Sequence, residues 1–274
     1  MSGAKKIDTK NFLTRTASGV IIFACILGFG LSGGWFFFSF TAALSFIGLY
    51  EFYRIFGIHK MPAGIIGFIL AIIYWILLNL EKTELILPLI VIGFLILMAA
   101  YVFDFQRMDP EKAMAAFAGF LYVPVLMSYM VRIRLSENGA VLLWLVFIAA
   151  WGCDIFAYLS GILLGKHKMA PVLSPKKSWE GAVGGVLGAV LLGALYGLIF
   201  KNSLTMNSPV PACALITGAG ALISMVGDLT ASAFKRHRGI KDYSNLIPGH
   251  GGILDRFDSV IFVAPVIYYL ISLF

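Results

Sequence analysis

Long apolar runs, separated by short charged connections, recur along this chain and constrain it more than any other feature. A hydrocarbon core about 30 Å thick is crossed by about 20 apolar residues in a helix. A helix also satisfies its own backbone hydrogen bonds in lipid. Spanning strands would read as weak alternating segments of about ten residues, and the runs here are unbroken. The expected fold is all-α and polytopic, with about nine spans: Thr16–Leu31, Gly34–Tyr53, Ala63–Leu80, Leu85–Phe103, Ala113–Val131, Ala140–Leu164, Gly181–Phe200, Pro211–Phe234 and Leu254–Phe274. The first is short and the sixth long, which points to tilt or an irregular end. Composition agrees. Of the 274 residues 60% are hydrophobic and 13% charged, too few polar groups to cover a water-facing surface.

Charge orients the layout. With the N-terminus in the cytoplasm, 17 of the 21 basic residues fall inside, as the excess of Lys and Arg in cytoplasmic loops requires. Only Lys82, Arg132, Arg134 and Lys201 fall outside. The C-terminus is then external, and the connections Gly165–Glu180 and Lys235–Asp255 share the cytoplasmic side. The net charge of +7 reflects topology and anionic membrane partners, not nucleic acid. The polar start, Met1 to Arg15, leads into a glycine-rich run that reads as a first span and not as a cleaved leader. Cys25, Cys153 and Cys213 lie in apolar runs with no metal-ligand spacing and are read as packing residues. Gly181, Gly184, Gly185 and Gly188 form two small-xxx-small pairs for close helix packing.

Ionisable groups inside spans are unfavourable in lipid and point to function. Four acids sit there or at a span start: Asp154, Asp228, Asp255 and Asp258. Asp154, Tyr158, Gly161 and Gly165 share one helix face, either a packing stripe or a site wall. Asp228 heads a polar stripe with Ser232 and Lys235, and a carboxylate at that depth needs a cation. The 27 residues from Ser232 to Asp258 then combine three features. Lys235, Arg236, Arg238 and Lys241 are suited to phosphates. Pro248-Gly249-His250-Gly251-Gly252 is a turn that lets backbone approach an anion. Asp255 and Asp258 follow, with Arg256 between them. Hard oxygen ligands beside a phosphate cradle suggest magnesium with a nucleotide. Each feature alone has a plain reading, as juxtamembrane charge, turn or surface histidine. The connection carrying Lys176, Lys177 and Ser178 offers a second basic wall, or simply a linker whose Ser178 and Glu180 cap the next helix.

Two blocks carry a family resemblance. One is Ser232-x2-Lys235-Arg236-x4-Lys241-Asp242-x4-Ile247-Pro248-Gly249-His250-Gly251-Gly252-Ile253-x-Asp255-Arg256-Phe257-Asp258. The other is Trp151-x2-Asp154-x2-Ala157-Tyr158, then Gly161, Gly165-Lys166 and Ser174-Pro175-Lys176-Lys177-Ser178-x-Glu180-Gly181. Together they resemble the phosphatidate cytidylyltransferases, or CDP-diacylglycerol synthases, over the C-terminal two-fifths of the chain.

The resemblance implies a magnesium-dependent reaction of CTP with phosphatidic acid, giving CDP-diacylglycerol and pyrophosphate at the cytoplasmic face of the cell membrane. A second cation and a homodimer are compatible with it. On this expectation Asp228, Asp255, Asp258 and Asp154 bind metal. Asp228, Asp255, Lys241 and Arg256 act at the reacting groups. Lys176, Lys177, Ser178, Lys235, Arg236, Gly249, His250, Gly251 and Gly252 line the phosphates. Residues 136–274, spans 6–9, would form the catalytic half, and residues 1–135 the first five spans. The rivals are a CTP-dependent transferase for another lipid phosphate and an ion-coupled transporter. Transport would favour inverted repeats, and none is evident.

Overall fold

The computed structural model describes residues 9–274, with side chains from residue 14 onward except Arg15. Four of the cations used for orientation, Lys5, Lys6, Lys10 and Arg15, have side chains outside that set. Helices dominate: α1 (Thr9–Ser32), α2 (Gly34–Ile55), α3 (Pro62–Asn79), α4 (Ile86–Phe103), α5 (Pro110–Phe120), α6 (Tyr129–Leu135), α7 (Gly139–Phe147), α8 (Cys153–Leu164), α9 (Trp179–Ile199), α10 (Pro209–His237) and α11 (Leu254–Ile271). Among the described residues seven helical segments are long and apolar enough to cross a membrane, two of them formed by α5 with α6 and by α7 with α8. The expected first and ninth spans are helical too. The apolar part of α1 is short, and α11 opens on Asp255, Arg256 and Asp258, so both depart from a plain apolar span.

The two composite helices are joined through single π turns. One, Leu121–Val125, contains Pro124, whose missing N–H breaks the regular ladder. The other, Ile148–Gly152, ends two residues before Asp154. Such bulges rephase the helix beyond them. This is the irregularity that the length of the sixth run anticipates, placed mid-span and not at an end.

Apolar area alone does not drive helix association in lipid, so small residues and interhelical hydrogen bonds do more of it. Tyr53 donates to the Ala116 carbonyl at 2.6 Å, joining α2 to α5. Trp75 donates to Ser45 at 2.9 Å, and Thr217 of α10 donates to the Ala189 carbonyl of α9 at 2.9 Å. The expected glycine pairs pack α9 on α8. A Cβ at Gly181 would stand 2.8 Å from the Ala157 carbonyl oxygen, and one at Gly185 2.9 Å from that of Cys153. α4 lies at the periphery and presents Leu87, Val91 and Leu95 outward. Cys153 and Cys213 are buried free thiols and Cys25 is exposed.

The connection before α9 corrects the all-helical expectation. It forms an antiparallel hairpin, β1 (Lys168–Ala170) with β2 (Ser174–Ser178), paired Lys168 to Ser178 and Ala170 to Ser174. Pro175 excludes helix there and tolerates an edge strand. Ser178 accepts from the Gly181 N–H at 3.1 Å, the expected cap. Glu180 instead reaches back to the backbone N–H groups of Lys166 and His167, at 3.1 and 3.2 Å, and fixes the hairpin's entry. Replacing Gly185 with Leu should push α9 off α8. The expected loss is about 1–3 kcal/mol, as for other overpacked interfaces, measured by thermal unfolding in detergent. An unchanged melting temperature would rule out the close approach.

Candidate active site

The segment between α10 and α11 is built around one carboxylate. Asp255, in the first turn of α11, is buried, and so is Lys235 in the last turns of α10. Lys235 donates to Asp255 Oδ1 at 2.7 Å. The backbone N–H groups of Tyr243 and Gly252 donate to Oδ2 at 2.8 and 2.9 Å. A carboxylate out of water needs this much compensation. The glycine turn follows from it. Gly251 has φ +81°, and a Cβ there would stand 2.6 Å from Asp255 Oδ2. The Gly252 N–H is therefore engaged internally, as is that of His250, which donates to the Ile247 carbonyl at 2.9 Å. Tyr243 lies under Lys235, whose ammonium is 5.3 Å from the ring centre. Burial, reinforced by nearby carboxylates, pushes its phenol far above the ordinary value, so it stays neutral.

A second ion pair ties the upstream block to α10, one turn before the downstream block begins at Ser232. Lys177, from the hairpin, meets Asp228 of α10. Asp154 stands beside them, close enough to Asp228 and Asp258 for their charges to act on one another. Two cavities flank Asp154. One, of about 190 Å³, is walled by Lys176, Lys177, Ser178 and Tyr158. The other, of about 270 Å³, is walled by His250, Arg256, Asp258 and residues of α1. The buried Nε of Arg256 has no hydrogen-bond partner, a donor set beside the second cavity.

The expected site residues are thus largely brought together, from α8, the hairpin, α10 and α11. Three stand apart. Arg236 is exposed and donates to the Ile240 carbonyl of its own turn at 3.1 Å. Lys241 and Gly249 are exposed in the loop. Two contributions from the first helices escape the sequence reading. Glu51 of α2 is only 2% exposed and accepts from Ser244, Ile253 and Leu254 at 2.5, 3.1 and 2.9 Å. Ser18 of α1 lies 2.7 Å from His250 Nδ1. Glu51 sits near the end of an apolar run, three residues before Arg54, and reads as an interfacial acid. Its signal was a carboxylate inside the Gly34–Tyr53 run.

Asp154, Asp255 and Asp258 line the second cavity and Asp228 stands beside them through Lys177; carboxylate oxygens are the donors a hard divalent cation takes. Among the described residues no three acids, histidines or cysteines stand as a ready metal cluster. Asp228 and Asp255 Oδ1 instead each hold a lysine ammonium, so a divalent ion here would take the place of ammonium groups. Removing one side of the buried pair should be severe. Asp255→Asn should lower stability by about 3 kcal/mol by leaving Lys235 buried and unpaired. Adding Lys235→Met should recover a good part of that. Thermal unfolding of the two variants checks it, and an unperturbed single variant would refute the pairing.

Comparison with known proteins agrees with the geometry. The chain matches the cytidylyltransferase family over residues 13–274. A phosphatidate cytidylyltransferase of Haemophilus influenzae is 43% identical over 144 residues, half of each chain. One of Thermotoga maritima is 35% identical over 211 residues, 75% of this chain and 76% of that one. One of Synechocystis is 31% identical across 94% of this chain and 96% of its own. The two motif blocks, which meet at the cavity walled by Trp151, Asp154, His250, Arg256 and Asp258, therefore lie within a match covering nearly all of the sequence, and the chain belongs to the cytidylyltransferase family.

Proposed function

We propose that this protein transfers the cytidylyl group of CTP to phosphatidate, forming CDP-diacylglycerol and releasing pyrophosphate. The observation that carries this is the meeting of both basic segments around one group of membrane-embedded carboxylates, through Lys177–Asp228 and Lys235–Asp255. A phosphate oxygen of phosphatidate forms a bond to the α-phosphorus of CTP. The bond from that phosphorus to the bridging oxygen breaks, and pyrophosphate carries the electron pair away. The attacking oxygen is already anionic, so no strong general base is needed. Positioning and charge neutralisation supply most of the rate.

Bound magnesium would supply charge neutralisation and orientation of the phosphates. Asp228, Asp255 Oδ1, Asp258 and Asp154 are the residues proposed to hold it, with room for a second cation. Lys177 and Lys235 would then exchange their carboxylates for phosphate oxygens. Lys176, Ser178 and Arg256 line the same cavities, while Arg236 and Lys241 are exposed on the connecting loop and helix end. We place the N-terminus and this site on the cytoplasmic side, with α1 and α11 completing nine spans. The placement is supported by Glu111 and Arg238, which pair at the same end of the bundle, and by the distribution of Lys and Arg. The relatives are bacterial, which supports the cell membrane as the location. The glycine faces of α9 are used against α8, so they give no argument for a dimer.

Purified protein incubated with labelled CTP, magnesium and a panel of lipid phosphates tests the reading. The expected outcome is label in a lipid product, with phosphatidate preferred over polyprenyl and ether-linked phosphates. No CTP turnover by folded protein would overturn it. Asp228→Asn and Asp258→Asn should each lower kcat by about a hundredfold, the scale of losing one preorganised electrostatic group. Activity near wild type would remove that residue from the site.

A further inference from the structure

Glu51 is a buried carboxylate that the chemistry above does not use. It lies in α2, about two hundred residues in sequence from the groups it touches. Its Oε1 accepts from the Ser244 hydroxyl at 2.5 Å and the Ile253 N–H at 3.1 Å, and its Oε2 accepts from the Leu254 N–H at 2.9 Å. Ile253 and Leu254 are the residues at which α11 begins. The first N–H groups of a helix have no partner within it, and here another helix supplies that partner. An anion at this end also interacts favourably with the helix dipole.

The turn is shaped to receive it. A Cβ on Gly252 would collide with both carboxylate oxygens of Glu51. Ser244 in turn accepts from the Leu246 N–H at 3.2 Å, so the same contact orders the loop before the glycines. Glu51 therefore grips the segment on one side while Asp255 grips it on the other, through Tyr243 and Gly252. Arg256 and Asp258, which wall the cavity beside Asp154, lie within the first turn and a half of the helix that Glu51 caps.

We propose that Glu51 is a positioning residue for cytidylyl transfer: it fixes the start of α11, and so the placement of Arg256 and Asp258, without touching substrate. The proposal rests on the transferase reading. It also gives α2 a part in a site otherwise assembled from α1 and the last four spans. A charged acceptor is required because one group must accept three hydrogen bonds at once. Glutamine keeps the shape and one acceptor oxygen but turns an amide N–H₂ toward a backbone N–H.

The experiment compares steady-state kinetics of wild type, Glu51→Gln, Glu51→Asp and Ser244→Ala, each normalised to folded protein in detergent. For Glu51→Gln we expect kcat to fall about thirtyfold with the KM for CTP within about threefold, the pattern of an interaction realised in the transition state. Glu51→Asp should restore part of kcat, because it keeps the charge. Ser244→Ala, which leaves both backbone bonds in place, should lose about threefold, and its effect should not multiply with that of Glu51→Gln, since the two act as one unit. A Glu51→Gln protein with wild-type kcat overturns the proposal even if its melting temperature falls, because Glu51 then only stabilises the fold. If Glu51→Gln does not fold, Ser244→Ala and Glu51→Asp decide by the same split, and unchanged kcat in both overturns it. Inactive wild type would instead mean failure of the transferase reading, so the two failures are distinguishable.

Discussion

A carboxylate removed from water must be met by opposite charge or by several hydrogen bonds, and the candidate site of this protein is organised by that requirement. Asp255 is met by Lys235 and two backbone N–H groups. Glu51 is met by a hydroxyl and two more backbone N–H groups. These six contacts fix the path of the chain from α10 to α11. They also explain local features that would otherwise look like sequence decoration. Gly251 and Gly252 are glycines because a Cβ at either would strike a carboxylate. Tyr243 is buried because its N–H is needed by Asp255. Breaking any one contact leaves a charge or a donor unsatisfied where solvent is scarce, which is why such networks tend to hold as a unit.

The rest of the scaffold brings the second motif to this loop. α9 approaches α8 at backbone distance through Gly181 and Gly185, so the hairpin between them begins and ends on closely spaced helix ends. Ser178 caps α9, and Glu180 ties back the incoming strand at Lys166 and His167. Lys177, the residue just before the cap, is thereby carried to Asp228 on α10. The π turn at Ile148–Gly152 ends two residues before Asp154 and resets the face on which that acid emerges, between the two cavities. A regular helix through Ala140–Leu164 would present a different face there.

How far the sequence reveals this depends on the range of the interaction. Apolar helices are legible because the bilayer sets one length for a span: each of the nine expected runs is helical here, and among the described residues seven helical segments are long and apolar enough to cross a membrane. The Ser178 cap and the α8–α9 glycine packing are local or nearest-neighbour features, and both were readable. The hairpin was not, since its strands are three and five residues long and its proline argued only against helix. Glu51 was missed for a different reason. Its partners are set by tertiary packing, and nothing in Tyr50-Glu51-Phe52-Tyr53-Arg54 separates a capping carboxylate from an interfacial one. Similarly, the glycine turn was expected to face an anion, and it does, but the observed anions are the protein's own Asp255 and Glu51.

The balance of charge gives the strongest physical reason for a metal in the proposed reaction. Lys176, Lys177, Lys235 and Arg256 carry four positive charges around the two cavities, and Asp154, Asp228, Asp255 and Asp258 carry four negative ones, so the lining sums to 4 − 4 = 0. Both proposed substrates are polyanions. A lining of matched charges offers no net attraction to two polyanions, because every lysine that turns to a phosphate leaves a carboxylate uncovered. The arrangement becomes workable if divalent cations cover those carboxylates, since each brings two charges where one ammonium stood. The lysines are then released toward the phosphates at no loss of neutrality. On this argument every cation the chain supplies is already matched by a carboxylate, and the charge that two polyanions require beyond that is what the proposed magnesium would supply.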